Sequence, residues 1–248
     1  MERKKADRVA EVKSLCAALL LAGTLGGCAT SGGNPADPLE PLNRVVFSFN
    51  DAADKAVIKP VARAYRAVLP GIVRTGVSNF FSNLEDIWIS VNDVLQGKFQ
   101  DGIDDFGRVL FNSTFGIAGI FDFASELGFQ KHNEDFGQTL GSWGVGSGAY
   151  LVLPILGAST IRDGFGLLVD IQADLVFQID GVPVHTSLYG TRAIANRANL
   201  LDASSVIEQA ALDKYAFVRD AWLQRRRNLV HDGDPPRERE EPDDEPTK

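Results

Sequence analysis

The sequence is poor in the residues that most often carry chemistry. Its 248 residues include two cysteines, Cys16 and Cys28, and three histidines, His132, His185 and His231. So few thiols build neither a disulfide framework nor a cysteine cluster, and the histidines show no metal-ligand spacing. No H-E-x-x-H occurs. No G-x-S-x-G occurs either: Ser147 stands between Gly146 and Gly148, but the outer glycine spacing of a nucleophile elbow is missing. The glycines of GVGSGAY (144–150) precede an apolar run instead of following a strand and opening a helix, so they do not read as a dinucleotide loop. A phosphate-cradling Walker loop is also lacking. No catalytic residue, metal ion or cofactor is expected, and the energy for any work the protein does must come from elsewhere. Positive charge is scarce as well: the net charge of -8 is wrong for a nucleic-acid binder.

What is there starts with a basic N-terminus. Residues 1–14 hold Arg3, Lys4, Lys5, Arg8 and Lys13 against three acids, and an 11-residue apolar stretch, Leu15 to Leu25, follows. A spanning helix needs about 20 apolar residues, so this stretch suits the core of a signal peptide. It leads into Leu25-Gly26-Gly27-Cys28, an L-x-G-C pattern that resembles the bacterial lipobox. In that motif the thiol receives a diacylglycerol, the chain is cut before the cysteine, and the new amino terminus is acylated. A buried helix with an incidental cysteine would explain neither the basic start nor the Gly-Gly-Cys end. The expected mature chain starts at a lipidated Cys28, and Cys16 leaves with the leader. Ala29 stands where an aspartate would, by resemblance to lipoprotein sorting rules, favour the inner membrane, so the outer membrane is expected. Two or three acyl chains, each worth about 0.8 kcal/mol per buried CH2, give effectively permanent attachment.

Loss of residues 1–27 removes five bases and three acids, taking the net charge from -8 to -10. Residues 28–36 read as a small-residue tether and 37–231 as one domain. The tail 232–248, with eight acids, three bases and no large apolar residue, reads as disordered. Within the domain the period is helical. Leu42, Val45, Val46, Phe49, Ala53, Ala56 and Val57 share a stripe that Pro60 is expected to end, and VARAYRAV forms a second helix up to Pro70. Val73 to Phe81 and Leu84 to Gln96 repeat the stripe, with Gly97 as a stop, and Phe99, Ile103, Phe106, Val109 and Leu110 continue it. Further helices are expected near 164–180, 186–201 and 204–230.

The middle differs. FGIAGIFDFA (115–124) is apolar on nearly every side and glycine-spaced, as suits close packing on other backbones or on lipid. Between Asp135 and Arg162 no residue is charged, although the chain-wide 23% would place about six charges in 26 positions. Six glycines and Pro154 rule out a spanning helix there. A glycine-rich loop or hairpin around Gly144, Gly146 and Gly148 is expected, followed by an extended run from Tyr150 to Leu156. The acid pairs Asp104–Asp105 and Glu134–Asp135 read as a solvated face or helix starts. Arg162, beside Asp163 at the edge of the uncharged run, reads as a local ion pair or helix start, or as a guanidinium placed to hold a phosphate. Arg225, Arg226 and Arg227 suit the negative pole of the last helix, or anionic headgroups.

Seven stretches taken together resemble one family, the MlaA/VacJ outer-membrane lipoproteins: DPLEPLNRVVFSFND (37–51), KPVARAYRAVLP (59–70), GVSNFFSNLED (76–86), NDVLQGKF (92–99), GRVLFNSTFGIAGIFDFAS (107–125), EDFGQTLGSWGVGSGAYLVLPILG (134–157) and STIRD (159–163). The match runs in order over most of residues 37–225; Ala158, where many members have proline, is a departure that touches only loop stiffness. The resemblance implies a mainly α fold, a ring of short amphipathic helices in the periplasmic leaflet of the outer membrane around a channel partly closed by a hairpin. It implies that phospholipids straying into the outer leaflet are removed and passed to a periplasmic carrier protein of the Mla pathway, then to an inner-membrane ABC transporter, and that trimeric porins are partners. In that picture Gly144, Gly146 and Gly148 let the hairpin bend while Trp143 and Tyr150 flank it; Arg162, from its own position and not from the resemblance, is the candidate headgroup contact if it is not the local ion pair. A structural porin-associated lipoprotein without transport is the alternative, and a lipid hydrolase lacks its nucleophile motif.

The anchor is directly testable. Mass spectrometry of the mature N-terminal peptide is expected to show an acylated Cys28, with the protein in the outer-membrane fraction. Cys28→Ser is expected to lose both; an unmodified amino terminus on the wild-type protein contradicts the assignment.

Overall fold

The computed structural model describes residues 34–236; Cys28, the leader and the acidic residues beyond Pro236 lie outside the described residues. Pro41, with its fixed φ and no N–H to satisfy, and Glu40 at the positive end of the dipole open α1, Glu40–Ala53. Pro60 does not end this helical stretch as expected. A π-helical turn, Asp54–Ile58, carries the chain straight into α2, Lys59–Val68. In the wider turn the Lys59 N–H bonds five residues back to Asp54 O, so the ladder has already changed where the proline ring enters. Leu69, before Pro70, turns extended and stops α2.

The two stripes between Val73 and Gln96 form one helix, α3, Gly71–Leu95. Gly97, at φ +83°, ends it as expected, with the Lys98 N–H closing back on Asp93 O at 2.8 Å. α4, Phe99–Thr114, packs back along α3. Residues 115–122 are irregular, with Ile117 and Ala118 at φ 53° and 55°. Asp122 then caps α5, Phe123–Glu126, and Asp135 caps α6, Phe136–Ser142.

The hairpin is one element further on than the glycines suggest. Gly144 to Gly148 form the loop that leaves α6, and the strands are β1, Tyr150–Leu153, and β2, Gly157–Thr160, antiparallel with Tyr150 opposite Thr160. Thr160 caps α7, Ile161–Ala173, and α8 spans Val182–Asn199. The last expected helix is two: α9, Leu201–Ala210, and α10, Lys214–Val230, divided where Ala211 is extended and Asp213 caps the Ala216 N–H. No described helix is long and apolar enough to cross a membrane.

Burial is inverted relative to an ordinary helical domain. On α1 Val45 is 68% exposed and Asn43 is 1% exposed. On α3 and α4, Val91, Val94, Phe99, Ile103, Phe106 and Leu110 face outward while Asp86, Asn92, Asp93, Asp105, Arg108 and Asn112 are buried. Eighteen polar or charged side chains are buried among the described residues, against eleven apolar ones. For the acid pairs the solvated-face reading fails at Asp105, which is buried, and at Glu134, held by Lys98, while the helix-start reading holds at Asp135, the cap of α6.

Buried polar groups need partners, and these have them in hubs. Asn43 donates to Tyr150 O at 3.0 Å and accepts from Val152 N at 2.9 Å; seven residues on, Asn50 repeats this with Leu153 O and Ile155 N. Two side-chain amides on one helix face thus stand in for a strand beside β1. Asp37 gathers Asn43, Tyr215 and Arg219. Arg108 ties Asp86 to Asp122, Ser125 and Phe129 O. Arg226 forks onto both oxygens of Asp135, at 2.5 and 2.6 Å, and reaches Asp163 at 2.8 Å. Burial favours the neutral acid at Asp135, but Arg226 and the Gln138 N–H outweigh it and hold the carboxyl below the usual carboxylate range.

Helix crossings rely on missing side chains. A Cβ on Gly166 of α7 would lie 2.5 Å from the Gly137 backbone N of α6. Gly166→Ala is expected to destabilise by about 1–3 kcal/mol, read as a lower urea midpoint in detergent, whereas Gly146→Ala, with nothing within 4 Å, is expected to move it little. Arg226→Met strips Asp135 of its cation and halves the guanidinium support of Asp163; with Asp135 partly exposed, a cost of about 3 kcal/mol is expected. Arg225→Met, at an exposed position, is expected to stay within about 0.5 kcal/mol. Equal costs at Arg225 and Arg226 in the same unfolding assay would contradict the assignment of the hub.

Candidate functional site: an amphipathic cavity

The helices enclose an open cavity of about 890 Å³, at the upper end of the range for small-molecule pockets. Its walls come from α3, the segment 133–138, α7, α8 and α10, with Leu156 from the hairpin turn. Its apolar lining is Leu84, Ile87 and Trp88 of α3, Leu167 and Ile171 of α7, and Trp222 and Leu229 of α10. Charged lining residues come from among them: Glu85 on α3, Asp174 just after α7, Arg192 on α8, and Arg225 and Arg226 on α10.

Most of the charged groups are fixed. Trp88 Nε1 donates to Asp170 Oδ1 at 2.7 Å, and the Phe136 N–H reaches the same oxygen at 2.9 Å. Burial, the largest influence, pushes the Asp170 carboxyl up against these two donors. Asp174 accepts from Tyr189 Oη at 2.9 Å and from Arg192, whose guanidinium lies over the Tyr189 ring at 4.8 Å and 3.8 Å from Glu85. Arg226 is committed to Asp135 and Asp163. Arg225 differs. It is exposed at the cavity wall, and no acid lies within ion-pair distance of it among the described residues.

The residues singled out in the sequence fall into three places. Gly144 and Gly148 sit at φ +89° and +68°, which favours glycine; Gly146 has no such φ. Trp143 is exposed and donates from Nε1 to Leu95 O at 3.0 Å, satisfying a carbonyl at the end of α3. Trp143 to Gly148 are not among the residues that wall the cavity. Tyr150 is buried beside Tyr215 and Trp222, so it backs a wall residue and does not itself face the lumen. Arg162 is buried too, paired with Asp163 at 3.0 Å and reaching Val145 O; it has the ion-pair geometry, not that of a free guanidinium. Asp37, Asn43, Arg192 and Asp170 went unnoticed because no local pattern marks them. Apart from Asp37 and Asn43, six residues apart, they are joined to partners far along the chain, up to 182 residues for Asp37 and Arg219.

The comparisons with known proteins agree with this arrangement. The MlaA lipoprotein family model matches residues 35–229. The chain is 35% identical over 231 residues to the intermembrane phospholipid transport system lipoprotein MlaA of Shigella flexneri, covering 90% of this chain and 91% of that protein. The protein of the same name from Escherichia coli K12 gives the same identity and coverage. That from Haemophilus influenzae is 34% identical over 233 residues, covering 90% and 92%. A solved structure described as the structural basis for maintenance of bacterial outer membrane lipid asymmetry superposes with a TM-score of 0.69 at 34% identity, covering 78% of this chain and 98% of the other. That family is one of transport lipoproteins associated with the outer membrane. This chain belongs to the MlaA lipoprotein family.

Proposed function

We propose that this protein removes mislocalised phospholipids from the outer leaflet of the outer membrane through its amphipathic cavity and hands them to a periplasmic carrier for retrograde transport, keeping the membrane asymmetric. The observation that carries the reading is a cavity lined by both apolar and charged side chains, inside a fold whose outer helical faces are apolar. A phospholipid is amphipathic in the same way. Its chains suit Leu84, Ile87 and Leu167, and its phosphate suits Arg225, the lining guanidinium with no acid at ion-pair distance among the described residues. Arg162, already paired and buried, is a weaker candidate for the headgroup than Arg225.

The energetics favour a passage with direct hand-off. Exposing two acyl chains to water, about 30 methylenes at about 0.8 kcal/mol each, would cost roughly 20 kcal/mol or more. A protein without a nucleotide site cannot supply that, whereas a passage that keeps the chains on apolar walls avoids most of it. The exposed apolar faces of α3, α4 and residues 115–123 suit residence in the periplasmic leaflet beside the Cys28 anchor, with trimeric porins as neighbours. In this reading residues 1–27 are the leader, 28–36 the tether, 37–231 the transport domain and 232–248 a solvated tail.

The test is lipid asymmetry in intact cells, measured as the fraction of labelled phospholipid open to added phospholipase. Deletion is expected to raise that fraction several-fold and the wild-type chain to restore it. Ala173→Trp, which puts an indole into the cavity, is expected to restore it poorly while porin copurification is kept. An unchanged fraction on deletion refutes transport; full rescue by Ala173→Trp favours a purely structural, porin-associated lipoprotein.

A further inference from the structure

A second polar cluster lies apart from the cavity, where α3, α4 and the segment 131–135 meet. Asp93 on α3 and Asp105 on α4 are both 0% exposed. They come together because the helices nearly touch at Gly102, where a Cβ would lie 3.1 Å from Ser90 O and 3.3 Å from the Asp93 Cβ. One oxygen of each carboxylate and one ring nitrogen of His132 all lie within 4.8 Å of one another. Asp105 accepts from the His132 backbone N–H at 3.3 Å and lies 2.7 Å from His132 Nδ1.

Asp93 stands out among the buried polar groups left without partners, which also include Asn83 Oδ1, Gln138 Oε1 and the Tyr65 hydroxyl. Neither of its carboxylate oxygens has a hydrogen-bond partner among the described residues. The nearby cations are committed elsewhere: Lys98 to Glu134 and Asp232, and Lys131 and Arg108 to Asp86. Two carboxylates thus face one imidazole out of reach of water, with no lysine or arginine on either among the described residues. A buried carboxylate of this kind takes up a proton, pairs with a cation, as Asp105 does with His132, or coordinates a metal.

We propose that Asp93, Asp105 and His132 bind a divalent transition-series metal ion, zinc in the first instance. One imidazole and two carboxylates make a three-ligand set suited to zinc, with water or a second carboxylate oxygen as the fourth donor. Calcium and magnesium favour all-oxygen shells of six or more. Donors about 2.0–2.2 Å from a tetrahedral ion sit about 3.3–3.6 Å apart, so on binding the 2.7 Å contact of Asp105 with His132 Nδ1 opens by less than about 1 Å and the rest of the cluster, now within 4.8 Å, draws in by about 1 Å. With Nδ1 on the metal, Nε2–H points towards Asp101, whose Oδ1 is 3.7 Å away. That is the outer carboxylate that orients a metal-bound imidazole. The ion staples α3 and α4 to the segment whose next residues, Asn133, Glu134 and Asp135, wall the cavity.

Full-length protein, purified in detergent without a polyhistidine tag and stripped with EDTA, is titrated calorimetrically with zinc, manganese or calcium chloride, and bound metal is counted by mass spectrometry. One zinc per chain is expected, with calcium at least tenfold weaker. Asp93→Asn and His132→Gln are each expected to weaken zinc at least about tenfold and to abolish a zinc-dependent rise in thermal midpoint. X-ray absorption on the zinc-loaded wild type needs no variant: one imidazole in an oxygen-rich shell is expected. No stoichiometric zinc, unchanged binding in both variants, preference for calcium, or a shell with several imidazoles overturns the proposal. Without a metal, burial and then the Asp105 charge push the Asp93 carboxyl up to about 7.

Discussion

The constraint on which the structure depends is that its helices are held together through their polar faces. In water, helices associate by burying an apolar stripe, and a few kcal/mol of packing settles the geometry. Here the stripes of α1, α3 and α4 point outward, and the joints are made by Asn43 and Asn50 on β1, Arg108 on Asp86 and Asp122, and Arg226 on Asp135 and Asp163. Such joints are directional and leave a large penalty when one partner is lost. They are complemented by glycines that let backbones touch, at Gly102 between α3 and α4 and at Gly166 between α6 and α7. Small residues and polar pairs are the means of helix association where the surroundings are as apolar as the side chains.

The same constraint opens the middle of the protein. Helices joined by hydrogen bonds at their seams need no continuous apolar core, and the two small apolar clusters, around Ala62 and around Tyr150, leave the cavity between α3, α7, α8 and α10 unfilled. Tyr150 and Tyr215 pack behind Trp222, so the cluster nearest the cavity serves as its backing. The ion pairs around Asp174 and Asp135 fix charged groups in the lining, while Arg225 has no acid at ion-pair distance among the described residues. A passage of this kind offers polar partners to a headgroup and apolar ones to its chains, which is the physical content of the transport reading.

Much of this was legible in the sequence, but not its orientation. The periodicity of Leu42 to Val57 and of Phe99 to Leu110 gave helices in the right places, and Gly97 marked a real stop. Periodicity reports that two faces differ without saying which one meets solvent, so Asp105 and Glu134 looked like surface acids. Pro60 misled because a π-helical turn absorbs it, a feature with no residue signature. The glycines at 144–148 marked a loop correctly, but the strand reversal falls at Pro154–Leu156, where Ile155 takes φ +66°. Arg162 was visible as a charge at the end of an uncharged run and its reading as a local ion pair with Asp163 holds; only the fold adds Val145 O as a further partner. The cavity's own residues come from six separate segments and carry no motif that a single sequence could show.

The central claim is that phospholipid enters the interior, and site-specific photo-crosslinking in living cells tests it most directly. A photoreactive residue placed at Leu84 or Leu167, in the apolar lining, should yield adducts of phospholipid mass, as should one at the outward-facing Leu110. Labelling at Leu110 with none at either wall position would show a protein that sits in the leaflet without admitting lipid, and would contradict the account.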